Sequence, residues 1–455
     1  MEKKTALIVG MAKSGVSSAK LLYKQGYRVI INDLKPEIEG LSEALADVEY
    51  ESCLGVAPEA LLDGVDLMVL SPVIPIFRPF VKTAILKGIE VIGEIELGYR
   101  YCDRGTRFVC IGGTNGKTTT TALTGEIFKA DCAKKADGSK TFVLGNIGIP
   151  ITEHALETKA GDTVVAETAS LQLESIVDFR ANAAGLINIT EDHINRFGSM
   201  DAYIAAKMRM FENQTEDDIA ALNTDDPIVM RAKTRAHVYL FSYRHEVDEG
   251  AFVRNGMIIF RHEGCETEVI PADQLGIPGN HNLENALCAV CLSLGMGVDA
   301  EVLREVLRTF KGVEHRIEFT RVLEGVTYYN DSKGTNPDST IMAVRAMKQP
   351  TVLLLGAGNY DKQSDYRPVF REFNGKVKAV VVNGSNTRAI MQAAADEGYK
   401  DIYPVPDDFR EMILTAKALA APGDAVLLSP ACASWGMFTD YEERGRIFKD
   451  IVNSL

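Results

Sequence analysis

The residues richest in chemistry lie between positions 108 and 121, which read Phe-Val-Cys-Ile-Gly-Gly-Thr-Asn-Gly-Lys-Thr-Thr-Thr-Thr. An apolar run, a glycine-rich turn and a Lys-Thr-Thr leading into a helical pattern predict strand, loop and helix. Backbone N–H groups of Gly113, Thr114, Asn115 and Gly116 can converge on phosphate oxygens there, helped by the positive end of the helix dipole at Thr119. Lys117 would reach the β- and γ-phosphates, and the Thr118 hydroxyl would ligand Mg²⁺. The general phosphate-loop pattern wants glycine where this chain has Ile111, so an ordinary glycine-rich turn is the alternative.

Further polar residues stand at the ends of apolar runs. Asp162–Glu167 is a strand pattern ending in an acid, and Glu167 suits a Mg²⁺ ligand or a solvated strand end. Ala184–Thr190 is followed by Glu191-Asp192-His193, where His193 is either structural or catalytic. Asn282 falls in the first turn of a helix, able to cap it or to read a base edge. Near the carboxyl end come Asn330–Asn336, Asp361-Lys362 and Ser429–Ser434.

These positions need a scaffold of parallel strands. Residues 1–100 alternate apolar runs (6–9, 28–31, 66–70, 90–92) with helical patterns, the signature of crossover connections. The turn Gly10–Gly15 resembles a dinucleotide fingerprint, with Asp33 at the end of the second strand. Ala12 takes the place of the middle glycine, leaving another nucleotide, NAD or a purely structural turn as readings. The pattern resets near 101–105 and again near 310. Residues 250–262 read as a hairpin about Asn255-Gly256. We therefore expect an α/β protein of three domains, each on a largely parallel sheet flanked by helices: 1–100 and 311–455 Rossmann-like, 101–310 of phosphate-loop type. Ligands of such sheets bind at strand carboxyl ends.

The 455 residues, 46% hydrophobic and 25% charged, are ordinary for a globular chain, and the formal charge of −14 argues against nucleic acid or anionic membrane as partner. The eight cysteines are scattered in apolar surroundings, as in a reducing compartment. Cys288 and Cys291 have metal-ligand spacing but sit in an apolar helical run. The first apolar run is too short for a signal peptide. We expect a cytoplasmic monomer acting on small molecules.

Taken together, Gly113–Thr119, Gly145-Asn-Ile-Gly148, the Glu167 strand, Thr190–His193, Ala206-Lys207 and Asn330-Asp-Ser-Lys333 resemble the Mur ligase family, in its order. Asn330–Asn336, Ser429–Ser434 and the Glu-Arg-Gly at 443–445 are similar to its D-glutamate-adding branch. The resemblance implies an ATP-dependent ligase that adds D-glutamate to UDP-N-acetylmuramoyl-L-alanine through an acyl phosphate, in peptidoglycan precursor synthesis. It implies two Mg²⁺ ions, held by Thr118, Glu167, His193 and a carbamylated Lys207. Lys117 and Lys333 would attend the transferring phosphate. Asn282 would meet adenine, with Arg316 and Asp331 at γ-phosphate and ribose. Ser14, Asp33, Ser71 and Asn146 would hold the UDP-substrate, and Thr335, Lys362, Ser434 and the backbone of Tyr441 the D-glutamate. Departures from the family pattern are Ala169, Asn195, Lys35, Val73 and Tyr441. A folylpolyglutamate-type sibling and a nucleotide-binding sensor are the rival readings.

Overall fold

The computed structural model describes residues 3–146, 148–277, 279–359 and 364–455. It forms two compact units, Met1–Phe310 and Lys311–Leu455. The first carries two sheets. Strands β1 (Thr5–Val9), β2 (Arg28–Asp33), β3 (Tyr50–Leu54), β4 (Leu67–Leu70) and β5 (Glu90–Gly93) run in the order β3-β2-β1-β4-β5, all parallel. Every residue of β1 and β4 is buried, which is why these strands read as unbroken apolar runs rather than alternating ones. β3 escaped the sequence reading because Tyr-Glu-Ser-Cys-Leu is a half-exposed edge strand.

The second sheet holds β6 (Arg107–Gly112), β7 (Thr141–Gly145), β8 (Thr163–Glu167), β9 (Ala183–Leu186), β10 (Ile219–Asn223), β11 (His237–Ser242), β12 (Gly250–Arg254), β13 (Met257–His262) and β14 (Cys265–Pro271). Their order is β14-β13-β12-β11-β10-β9-β6-β8-β7. It is parallel from β7 to β12 and ends in an antiparallel meander. The expected hairpin is there, with Asn255 and Gly256 at φ 51° and 77°, the left-handed pair a two-residue turn demands. Cys288 and Cys291 are buried in helix Asn280–Gly295, and burial pushes both thiols up.

Helix Glu94–Tyr101 joins the two sheets. Glu96, wholly buried, accepts N–H bonds from Val177, Asp178 and Phe179 at 2.8–3.1 Å. Glu94 accepts the N–H and hydroxyl of Thr152, and that hydroxyl lies 2.8 Å from Ser17 Oγ. Tyr99 packs edge-on against Phe108 and Phe179. A charge-assisted bond of this kind contributes about 1.5–3 kcal/mol, so the two sheets are fastened as one body.

The second unit carries β15 (Glu318–Leu323), β16 (Val326–Asn330), β17 (Thr351–Gly356), β18 (Val377–Asn383), β19 (Ile402–Pro404) and β20 (Ala425–Leu428), in the order β15-β16-β20-β17-β18-β19. Only β15 pairs antiparallel. Among the described residues no helix is long and apolar enough to cross a membrane.

Candidate active site

Register sets the site of the first unit. β8 pairs β6 with Glu167 opposite Ile111, and β7 with Glu167 opposite Gly145. The turn after β6, the Glu167 carboxylate and Asn146 therefore share one sheet edge. Helix Lys117–Lys135 starts directly from Gly116, whose φ of +83° suits glycine. A Cβ there would lie 2.2 Å from Asn285 Oδ1. Asn285 Nδ2 in turn donates to Asn282 Oδ1 at 3.2 Å, so the predicted adenine residue is tied to the loop through Asn285, which sequence reasoning passed over.

The loop is braced from below. Thr114 N–H donates to Asn188 O at 2.8 Å, and Asn115 N–H to Asn188 Oδ1 at 2.8 Å. Thr114 Oγ1 lies 3.1 Å from Tyr203 Oη and accepts the Thr190 N–H. These two amides thus hold the loop's own shape. The donors suited to an anion are the first-turn amides of the helix, which have no intrahelical carbonyl, and Lys117.

Two amines share one carbonyl. Lys117 Nζ donates to Gly113 O at 2.9 Å and to Thr114 O at 2.8 Å. Lys207 Nζ donates to Gly113 O at 2.7 Å, above the Tyr203 ring at 4.7 Å. Lys207 is only 4% exposed. Burial, reinforced by the Lys117 ammonium, holds its amine well below the ordinary lysine range.

Glu167 is buried at 3% exposure. Its Oε1 accepts from Asn146 Nδ2 at 2.8 Å, while its Oε2 has no partner among the described residues. An unsatisfied buried carboxylate oxygen is costly and, with the Thr118 hydroxyl at the helix start, supplies the hard oxygen donors that Mg²⁺ prefers. His193 stands in the left-handed region at φ +54°, half-exposed, its Nε2 3.4 Å from Asp192 Oδ2. A non-glycine residue held there is strained, as often happens at functional sites. The ring of Tyr203 lies 6.4 Å from that of His193, so Tyr203 links Thr114, Lys207 and His193. Its place in a short helical run gave no signal.

In the first sheet, strand order turns between β1 and β4, where ligands of open parallel sheets bind. Gly10 and Ser71 face each other there: a Cβ at Gly10 would meet Ser71 Cβ at 2.6 Å. Asp33 accepts the N–H groups of Met11 and Lys35, both at 3.0 Å, so it organises the turn that leads to Ser14. Arg196 reaches the same loop, its Nη2 bonded to Glu174 and 3.5 Å from Pro72 O. Its Nε and Nη1 are buried without a partner among the described residues.

The second unit gathers its own cluster at the carboxyl ends of β16, β17 and β20. Asp331 is buried and accepts from Ser429 Oγ at 2.7 Å and the Ile317 N–H at 3.2 Å. Burial pushes its carboxyl up to about 6, against the pull of Arg316. Lys333 Nζ lies over the Tyr441 ring at 5.3 Å, and Tyr441 O accepts from Ser332 Oγ at 2.7 Å. Gly334 O accepts the Ala431 N–H at 2.8 Å, which joins the loop of Thr335 to that of Ser434. The fully buried Arg444 binds both loops and a third, donating to Ser332 Oγ and O, Ala357 O and Cys432 O. Sequence reasoning noted the 443–445 tripeptide without giving Arg444 a role. Lys362 lies outside the described residues.

Known proteins match this arrangement part by part. The description "Mur ligase MurD-like, N-terminal domain" fits residues 4–93, "Mur ligase middle domain" residues 111–293, and "Mur ligase, glutamate ligase domain" residues 315–432. The UDP-N-acetylmuramoylalanine--D-glutamate ligase of Alkaliphilus oremlandii is 44% identical over 100% of this chain and 99% of its own length. That of Pelotomaculum thermopropionicum is 45% identical over 100% and 98%. Among solved structures, UDP-N-acetylmuramate-alanine ligase MurC from Thermotoga maritima aligns at TM-score 0.59 with 18% identity, covering 99% of both chains. MurF from Acinetobacter baumannii aligns at 0.61 with 15% identity, covering 98% of this chain and 93% of its own. With all three domains matched in order and relatives above 40% identity from end to end, the chain belongs to the Mur ligase family.

Proposed function

We propose that this protein joins D-glutamate to UDP-N-acetylmuramoyl-L-alanine with hydrolysis of ATP to ADP and phosphate, as a cytoplasmic monomer making peptidoglycan precursor. The observation that carries the reading is the loop of Gly113–Thr119 facing a buried, half-satisfied Glu167, in a chain whose full-length relatives bear that ligase name. We assign UDP-substrate binding to residues 1–100, ATP binding to 101–310 and amino-acid binding to 311–455.

The alanine carboxylate attacks the γ-phosphorus, a C–O–P linkage forms, and ADP leaves. The D-glutamate amine then attacks the acyl carbon, the C–N bond forms, phosphate departs and one proton is released. The protein's part is to hold anions in line and offset their charge. Lys117 leaves its loop carbonyls for the β- and γ-phosphates, and Lys333 flanks the phosphate in transfer. Thr118 and Glu167 would hold one Mg²⁺; His193 and Lys207, as a carbamate, would hold a second. Magnesium supplies charge neutralisation at the phosphate oxygens. For that carbamate, the Lys207 nitrogen, once deprotonated, would add to CO₂, forming N–C and releasing a proton. Ser14, Asp33, Ser71 and Asn146 position the UDP-sugar, with Arg196 beside them. Asn282, Arg316 and Asp331 position the nucleotide. Thr335, Lys362, Ser434 and the Tyr441 backbone position D-glutamate.

Phosphate release measured with each substrate omitted in turn tests this. We expect release only when ATP, UDP-N-acetylmuramoyl-L-alanine and D-glutamate are all present. Release indifferent to both acceptors would instead indicate a nucleotide sensor, and release with a folate and L-glutamate a sibling ligase.

A further inference from the structure

At the far side of the middle sheet from β7, three strands bring together groups that the ligase reaction does not use. His237 opens β11, Glu249 immediately precedes β12, and His262 closes β13. His237 Nε2 lies 3.2 Å from Glu249 Oε1, and His262 Nδ1 lies 2.6 Å from the same oxygen. All three donor atoms fall within 4.8 Å of one another, and the two imidazole planes stand at 87° with centroids 5.8 Å apart. Bonds of 2.0–2.2 Å around a tetrahedral ion place its donors roughly 3.4 Å apart, so small rotations of half-exposed rings would open the cluster to that size.

The chemistry of the set is specific. Two imidazoles and one carboxylate suit a borderline transition ion such as zinc, with a fourth position open to water. Glu249 is the shared acceptor of the set: its Oε1 meets both rings, and the Glu263 N–H holds the carboxylate from the other side. Its second oxygen is fixed by that Glu263 N–H at 3.0 Å. The Tyr239 hydroxyl lies 3.1 Å from His262 Nδ1 and can bond a water on the ion. The cations nearby face elsewhere: Arg261, adjacent on β13, turns to Glu266, Glu246 and the Val247 carbonyl. Glu263 adds a further negative charge beside Tyr239.

We propose that His237, Glu249 and His262 form a binding site for one zinc-class divalent ion, separate from the magnesium chemistry of the ligase, which clasps β11 to the β12–β13 hairpin. The full-length protein, stripped with chelator and held in saturating Mg²⁺, would be titrated with Co²⁺ as a spectroscopic probe and with Zn²⁺ by calorimetry. We expect one equivalent bound, the intense visible band of a four-coordinate cobalt site, and a higher thermal midpoint with Zn²⁺. His262→Ala and His237→Asn should each abolish the band and the thermal shift while leaving D-glutamate-dependent phosphate release within twofold of wild type. His154→Ala, at a partly buried histidine of the helix Ile151–His154, should retain both. Absence of the band in wild type, or equal uptake by wild type and both cluster variants, would overturn the proposal. If one variant fails to fold, the other decides.

Discussion

At the scale of single residues, two amines converge on Gly113 O. Replacing Lys117 by alanine should abolish turnover while leaving UDP-substrate affinity, measured by calorimetry, within a few-fold. Retained turnover would remove Lys117 from the phosphate site. Lys207→Ala should lose activity and regain part of it with short carboxylic acids supplying the missing carboxylate; a folded variant without rescue would speak against the carbamate. Asp331 offers a pH test. Its carboxyl titrates near 6 in the fold instead of the ordinary 3.8, so the folded state holds the proton more tightly. The associated stability is complete below the unfolded value and is lost as pH rises through about 6. A shift of this size corresponds to roughly 2–3 kcal/mol. Wild type should therefore lose thermal midpoint over that interval, while Asp331→Asn should be nearly flat across it. Lys117, Glu167 and Asp331 were legible because each is a charged residue placed where an apolar run ends. Asn188, Tyr203 and Arg196 were not, because only tertiary convergence turns them toward the site.

At the scale of elements, the loop and the strand ends depend on positions with no catalytic chemistry of their own. Gly116→Ala would force a side chain into left-handed backbone, at about 1 kcal/mol, and drive its Cβ into Asn285 Oδ1. We expect a lower thermal midpoint together with a loss of ATP affinity of tenfold or more, by nucleotide titration; a variant with unchanged affinity would show the loop able to relax. Arg444→Met would leave the carbonyls of Ser332, Ala357 and Cys432 short of a donor, each worth about 1–3 kcal/mol if buried unsatisfied. Unfolding of the second unit should move down clearly in calorimetry, and Arg444→Lys should not restore it, since an ammonium cannot span three loops. Alternation of apolar runs revealed the parallel strands. It said little of β3 or β10, where edge exposure and small residues blur the pattern, and nothing of which loops one guanidinium would tie.

At the scale of the whole molecule, three sequence domains need not mean three independent bodies. The reset near residue 101 marks where one sheet stops and another begins. Buried Glu94 and Glu96, which the sequence reading passed over, join the two. Their partners at 152 and 177–179 lie 58 and 81–83 positions downstream, a range that local patterns do not reach. Glu96→Gln should therefore lower a single shared unfolding transition of residues 1–310 rather than split off an early one. The same seam constrains synthesis on the ribosome. At about 5–20 residues per second, the amides that receive Glu96 emerge roughly 4–16 s after it. Through that interval the nascent amino-terminal sheet holds two carboxylates meant for an interior that has not yet been translated, so it must wait, hydrated and incompletely closed, for the chain that completes it.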